Sequence, residues 1–478
     1  MNKKPRAAGA VPQENKMGIM PMNKLILDMS LPMMISMMVQ ALYNVVDSIF
    51  VSRISENALT ALGLAFPMQN LMVSVAVGTG VGVNALLSRS LGEKNRTLVE
   101  KSAENSIFLA VLNYLVFLLI GLFAVPAFIR SQTDVTEIVD AGIQYLTVCC
   151  CASFGLFGQI GFNRLLLSTG KTFYTMLTQS LGAIVNMILD PILIFGLLGF
   201  PKMGVTGAAL ATVVGQICGM SLSFYFCRTK NEEVPLHLRG FRPDGEVIRS
   251  IYVVGLPSII MQAIASVMVF GINQILIAFT TTATAVFSVY FKLQSFVFMP
   301  VFGLNNGMVP IVAYNYGARK KSRIVHALKL GLLYAAGLMV VGLLVFQLLP
   351  GLLLSLFDAS PEMKTIGIPA LRIISVCFVP AAVSIICSSA FQALGNGLMS
   401  MMVSFARQLV VLLPAAFLLS LTGRLELVWW AFPIAEVAAL TVSLLFFRRI
   451  YRSRVAPLTE ITGGGVETDS DTGEDTNP

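Results

Sequence analysis

Residues 26–51 read ILDMSLPMMISMMVQALYNVVDSIFV, and only two of them, both aspartates, are charged. A helix needs about 20 apolar residues to cross a bilayer, so this stretch is long enough. Its second half contains Gln40, Asn44 and Asp47. An ionised carboxylate is costly in hydrocarbon and is therefore either functional or paired. The stretch predicts a membrane helix with a polar, functional face.

The rest of the chain has the same character. Its 478 residues are 56% hydrophobic and 12% charged, with a mean hydropathy of +0.78, whereas a soluble domain has about 25% charged residues. This composition excludes a secreted disulfide scaffold and a disordered chain. It predicts an all-α integral membrane protein of twelve helices in the lipid bilayer, with no nucleic-acid partner. We expect a monomer, although the sequence does not determine the oligomeric state. The twelve apolar stretches are 26–51, 58–86, 106–128, 138–162, 173–199, 204–227, 250–279, 283–312, 328–349, 366–392, 398–420 and 428–447.

The distribution of positive charge predicts the orientation. Of the 33 Lys and Arg residues, 25 fall on one side of this arrangement, five on the other, and three within or beside the spans. Positive residues accumulate in short cytoplasmic loops, so both termini are predicted to be cytoplasmic. Residues 1–24 form a cytoplasmic N-terminal tail, and residues 451–478, which are acidic beyond Arg454, form a disordered tail.

The chain contains two copies of one half. A polar linker at 229–248 separates an N-lobe (25–228) from a C-lobe (249–450), each with six spans. Adding one fixed number, here called the repeat offset, to residue numbers of the N-lobe gives the matching positions of the C-lobe. A Leu-Pro pair and five glycines of the N-lobe then coincide with identical residues of the C-lobe. Such parallel repeats place a substrate cavity between two lobes, although small residues at helix contacts would also give a recurring glycine pattern. The matched positions are Leu31-Pro32 with Leu256-Pro257, Gly78 with Gly303, Gly82 with Gly307, Gly92 with Gly317, Gly142 with Gly367, and Gly170 with Gly395.

Two acidic residues lie deep in spans of the first lobe. The stretch of chain from Lys24 to Asp47 is similar in length to that from Lys171 to Asp190, and the two spans run in the same direction. Because a helix rises by about 1.5 Å per residue, the two carboxylates have comparable depth. They are predicted either to take up protons or to bind Na⁺; the alternative is a structural pair bonded to helix ends.

Neutral oxygen ligands accompany the two acids. Asn186 lies one turn before Asp190, and Asn44 and Gln40 lie about one and two turns before Asp47. Thr212 is expected at the depth of Asp190 on the returning span, with Thr206 as the second choice. A Na⁺ ion would therefore be held by Asp47, Asn186, Asp190 and Thr212.

Two prolines are candidate hinges. Pro32 lies inside the first span, and Pro191 follows Asp190 in the fifth. Proline cannot donate a backbone hydrogen bond, so each is expected to free a carbonyl and allow its helix to bend.

Five segments form a recognisable set: Leu31-Pro32, the run from Val39 to Asp47, the loop from Ser88 to Lys94, Leu189-Asp190-Pro191, and the segment from Gly207 to Thr212. Together they resemble the multidrug and toxic compound extrusion (MATE) transporters, in the bacterial DinF-like branch, which implies a bacterial inner membrane. The resemblance covers about residues 20–450. It implies export of lipophilic or cationic small molecules in exchange for H⁺ or Na⁺, with no other cofactor. It also implies cation coupling at Asp47, Asn186, Asp190 and a span-six threonine, and a substrate or proton network at Gln40, Tyr43, Asn44, Tyr145 and Asn163.

The second lobe has lost the acids. At the repeat offset, Asp47 falls on Ile272 and Asp190 on Ala415, so coupling is predicted in the first lobe alone. A charge network in the second lobe, either structural or gating, is predicted for Lys292, Arg407 and Glu436.

A lipid-carrier flippase of the polyprenyl-pyrophosphate type, or a metabolite exporter, shares this architecture. A pyrophosphate headgroup needs cationic partners, however, and the cavity-side spans of the first lobe contain almost none. The sequence has no intramembrane nucleophile with a base, so we predict that the protein is not an enzyme.

Overall fold

A computed structural model describes residues 14–236, 241–357 and 359–459. Residues 1–13 of the predicted N-terminal tail and residues 460–478 of the predicted acidic tail lie outside this part.

The described chain is built from helices, and twelve elements match the twelve predicted spans. Ten are long, apolar helices, and two, α4 and α10, are helix pairs bent by 42° and 47°. The prediction of an all-α membrane fold is confirmed. The elements are α1 (Met22–Ser52), α2 (Glu56–Gly92), α3 (Arg96–Arg130), α4 (Thr136–Cys151 and Phe154–Ser168), α5 (Thr172–Phe195), α6 (Val205–Lys230), α7 (Gly245–Ile277), α8 (Thr281–Gly317), α9 (Lys321–Leu348), α10 (Pro361–Ser375 and Phe378–Ala393), α11 (Gly397–Ser420) and α12 (Leu425–Val455).

Several helices are longer than their predicted apolar stretches, and α2 and α8 are among them. Helices α2 and α8 have 37 residues each, whereas the apolar stretches predicted 58–86 and 283–312. Hydropathy alone ends a span where polar residues begin. Here the helices continue because their last turns contact the opposite lobe.

The lobes meet through six glycines, which we call the glycine seam. A Cβ atom on Gly303 would lie 2.5 Å from the Cα of Met34 in α1. In the other half, Gly78 packs in the same way on Ile259 of α7, which is the copy of Met34 at the repeat offset. The internal repeat is therefore also a repeat of contacts, and the lobes touch backbone to backbone. The seam consists of Gly78, Gly82, Gly92, Gly303, Gly307 and Gly317.

The seam lies toward the end of the molecule that carries both described termini, here called the terminal face. At this end Lys320 Nζ donates to Glu14 Oε1 in an ion pair. The neighbouring Lys321 Nζ donates to the carbonyl oxygen of Ala456 at 2.9 Å. Gly92 and Gly317, the last seam residues, are the last residues of α2 and α8. The lobes are thus closed against each other on the terminal face.

Residues 14–20 form a clasp across this face. Arg323 of α9 donates to the carbonyl oxygen of Met17 at 3.0 Å, and Met17 is fully buried. On the other side, Asn15 Nδ2 donates to the carbonyl of Thr169 at 3.1 Å. This part of the predicted tail is packed against both lobes.

Candidate functional site

Close packing of α5 on α6 builds the framework of the site. A Cβ on Gly182 would lie 3.0 Å from the carbonyl oxygen of Gly215, and one on Gly207 would lie 2.6 Å from that of Leu193. The helices can approach this closely only because these residues lack side chains. As a result, Asn186 of α5 reaches Thr212 of α6.

Asn186 and Thr212 are joined directly. Asn186 Nδ2 donates to Thr212 Oγ1 at 3.0 Å, and Thr212 Oγ1 donates to the carbonyl of Ala208 at 3.0 Å. Thr206, the second choice, lies elsewhere and donates to Gln144 Oε1 at 3.3 Å. The geometry therefore favours Thr212 as the threonine of this cluster.

The carboxyl groups of Asp47 and Asp190 adjoin each other. Asp190 is fully buried, and Asp47 is half-buried. Within the described residues, no hydrogen-bond donor reaches either carboxyl oxygen of Asp190 or the Oδ1 of Asn186. Two facing carboxylates can share a hydrogen bond only if one of them is protonated. The cluster is thus a group of oxygen acceptors suited to a proton or a small cation.

Two tyrosines border the carboxyl pair. Tyr43 lies beside Thr212 and Asp47, and the buried Tyr145 lies near Asp47. Gln69 Nε2 of α2 donates to the phenol oxygen of Tyr145 at 2.9 Å. The sequence does not predict Gln69 as a site residue, because a single glutamine in an apolar span forms no pattern.

The other three predicted residues lie on the turns of α1 before Asp47 or on α4. Gln40 and Asn44 are exposed, on the turns of α1 before Asp47. The buried Asn163 accepts a hydrogen bond from Thr178 Oγ1 at 2.7 Å. Thr178 lies twelve residues before Asp190 on α5, which corresponds to about 18 Å along the helix.

The two candidate hinges lie inside continuous helices. Pro32 has no N–H to donate to the carbonyl of Asp28 one turn earlier. Thr172, at the start of α5, donates its hydroxyl to that carbonyl instead, at 3.2 Å. Pro191 lies four residues before the end of α5. The freed carbonyl near Pro32 therefore has a partner on another helix.

The predicted charge network of the second lobe is reduced to a pair. Arg407 Nη1 lies 3.5 Å from Glu436 Oε2, and Glu436 is buried. Lys292 is exposed and forms no ion pair with Glu436 in the described chain. The reason is helical geometry: Tyr290, which lies near Glu436, is two residues away and so points to nearly the opposite side of α8.

One basic residue that the charge distribution predicts in a loop lies inside a helix. Arg164 follows the fourth apolar stretch, 138–162, and the charge distribution therefore predicts it in a loop. In the structure it lies within the helix Phe154–Ser168 and is only 9% exposed.

Comparison with known proteins gives consistent matches over nearly the whole chain. The family model described as MatE matches residues 32–192 and 257–418, and its two starting points are related by the repeat offset. The "Probable multidrug resistance protein NorM" of Thermotoga maritima is 28% identical over 428 residues, which are 89% of this chain and 92% of that protein.

Two further matches agree. The "FAD transporter" of Shewanella oneidensis is 27% identical over 438 residues, 87% of this chain and 92% of that protein. A structure titled "Outward-facing conformation of a multidrug resistance MATE family transporter of the MOP superfamily" has a TM-score of 0.88 at 28% identity, covering 94% of this chain and 99% of that one.

Proposed function

Because the chain belongs to the MATE family, whose members are membrane transporters rather than enzymes, we propose that it is a secondary active multidrug efflux antiporter. It exports lipophilic or cationic small molecules across a bacterial inner membrane in exchange for H⁺ or Na⁺, with both termini in the cytoplasm. Asp47 and Asp190 couple the export of the substrate to the entry of the cation. The observation that carries this proposal is a cluster of buried oxygens: both carboxyl oxygens of Asp190 and the Oδ1 of Asn186 accept no hydrogen bond from the described residues.

The coupling follows from electrostatics in a site of low dielectric constant. Without a bound ion, two adjoining carboxylates repel each other and are poorly solvated. A proton shared between them, or a Na⁺ ion held by them with Asn186 and Thr212, removes this repulsion and draws α1 toward α5. Pro32 lies among the seam contacts of α1, between Ser30 and Met34, and a bend of α1 there displaces a substrate from the cavity.

The test is transport by purified protein in liposomes. We expect Asp47→Asn and Asp190→Asn to abolish dye efflux driven by an imposed pH or Na⁺ gradient, while membrane abundance is unchanged. Asp28→Asn is the matched control, because Asp28 is on the same helix as Asp47 but forms an exposed ion pair with Lys16 at 2.6 Å. Full transport by both site variants would contradict the coupling role.

The same preparation separates the alternatives. Efflux under only one of the two gradients identifies the coupling ion. A protein that moves a polyprenyl pyrophosphate across the bilayer, and no dye under either gradient, would instead be a flippase.

A further inference from the structure

Three charged side chains are buried in the described part of the chain: Asp190, Glu436 and Arg164. Asp190 adjoins Asp47, and Glu436 faces Arg407. Arg164, in contrast to both, has no partner of either charge among the described residues, and in particular no carboxylate. A buried, unpaired guanidinium is strongly unfavourable. Such a residue makes physical sense if another conformation supplies it with an anion.

The surroundings of Arg164 leave room for its side chain. It packs over Gly80 of α2, where a Cβ atom would lie 2.7 Å from its Cγ and 2.9 Å from its Nε. At the repeat offset, the corresponding pair in the C-lobe is Asn305 and Ser389, which hydrogen-bond to each other. At these two positions the N-lobe therefore has glycine and arginine, whereas the C-lobe has asparagine and serine. Only in the N-lobe does a glycine leave room for a cationic side chain at this position.

The guanidinium reaches across the boundary between the lobes. Arg164 Nη1 donates to Asn306 Oδ1 of α8 at 3.5 Å, which is a long hydrogen bond to a neutral acceptor. The guanidinium has five N–H donors in a planar fork that fits a carboxylate in two-point fashion. Separation of the lobes at the terminal face would break the Asn306 contact and open the fork to the cavity.

We propose that Arg164 is a substrate-binding residue for the carboxylate of an amphipathic small molecule, loaded while the terminal face is open. When the lobes close, Asn306 takes the place of the carboxylate, and the substrate loses its anchor on the side from which it entered. The substrate range then includes zwitterions as well as lipophilic cations. This inference rests on the proposed transport function and refines its substrate class.

The experiment uses two dyes that differ only in the group at issue. Rhodamine 110 has a free carboxylate, and rhodamine 123 is its methyl ester. Binding to the full chain in phosphatidylcholine nanodiscs and efflux from proteoliposomes are measured for the wild type, Arg164→Gln and Arg164→Lys. We expect Arg164→Gln to weaken binding of the acid about tenfold or more and to change that of the ester less than about twofold. Arg164→Lys keeps the charge but not the fork, so its affinity for the acid should lie between those of the wild type and Arg164→Gln.

The outcomes are distinct. Equal losses for the acid and the ester would show a structural role and overturn the proposal. So would a wild type that binds the ester but not the acid. Efflux of rhodamine 123 by the wild type supports the proposed function in either case. If Arg164→Gln does not reach the membrane, the ratio of acid to ester binding by Arg164→Lys decides, and an unchanged ratio would refute the role.

Discussion

Replacing Gly303 by alanine should open the terminal face. The added Cβ would lie 2.5 Å from the Cα and 2.6 Å from the N of Met34. Ordinary van der Waals contacts begin at 3.4 Å, so α1 must move away by about 0.9 Å. Both neighbours are backbone atoms, and no side-chain rotation can relieve the contact.

The expected size of the effect follows from packing energetics. Overpacking costs about 1–3 kcal/mol, and here the cost applies only while the lobes touch. It therefore shifts the equilibrium between closed and open conformations by roughly 5- to 150-fold. The gain in helix propensity from glycine to alanine, up to about 1 kcal/mol, is present in both conformations and cancels.

The equilibrium can be measured by pulsed electron spin resonance between labels at Arg96 and Arg449, one exposed residue in each lobe, after the seven native cysteines have been replaced. Gly337→Ala is the control, since no atom lies within 4 Å of its added Cβ. We expect a longer distance population in Gly303→Ala alone. Identical distance distributions in the two variants would refute the reasoning.

Three further predictions concern contacts near the terminal face. Arg323→Ala removes the hydrogen bonds to the clasp carbonyls at 3.0 and 2.8 Å and should favour the open state by about 2 kcal/mol, roughly 30-fold; unchanged label distances would contradict this. The hydrogen bond from Lys320 lowers the pKa of Glu14 below its usual 4.5, so this pair stabilises the clasp fully above pH 4.5 and loses its effect as the pH falls through the lowered pKa. Because both side chains are about one-third exposed, the gain is at most about 1 kcal/mol, and Glu14→Gln should abolish this part of the pH dependence of opening. Thr172→Val leaves the carbonyl of Asp28 without its donor, at a cost of about 1 kcal/mol, and should speed hydrogen exchange in the first half of α1; exchange equal to that of Thr229→Val, whose hydroxyl bonds within its own helix, would argue against the hinge.

The depth of the acid pair could be predicted from the sequence because helix rise is constant. Counting from Lys24 and Lys171 places Asp47 and Asp190 at one level, and in the structure their carboxyl groups adjoin. The relative rotation of α1 and α5 could not be derived in this way. It depends on the glycine contacts between α5 and α6 and on the seam.

Arg164 shows where counting fails. A tally of positive charges assigns each arginine near the end of a span to the nearest loop, but the helix continues to Ser168. Whether the side chain then points to water or to the protein interior depends on the residue opposite it. That residue, Gly80, lies far earlier in the chain and on another helix.

The clasp has a consequence for the order in which the protein matures. Met17 is held by Asn315, 298 positions later in the chain, and by Arg323, 306 positions later. The segment that leaves the ribosome first therefore finds its binding site only after most of the second lobe has been synthesised and inserted. A chain truncated after the first lobe would lack both residues that bind the carbonyl of Met17.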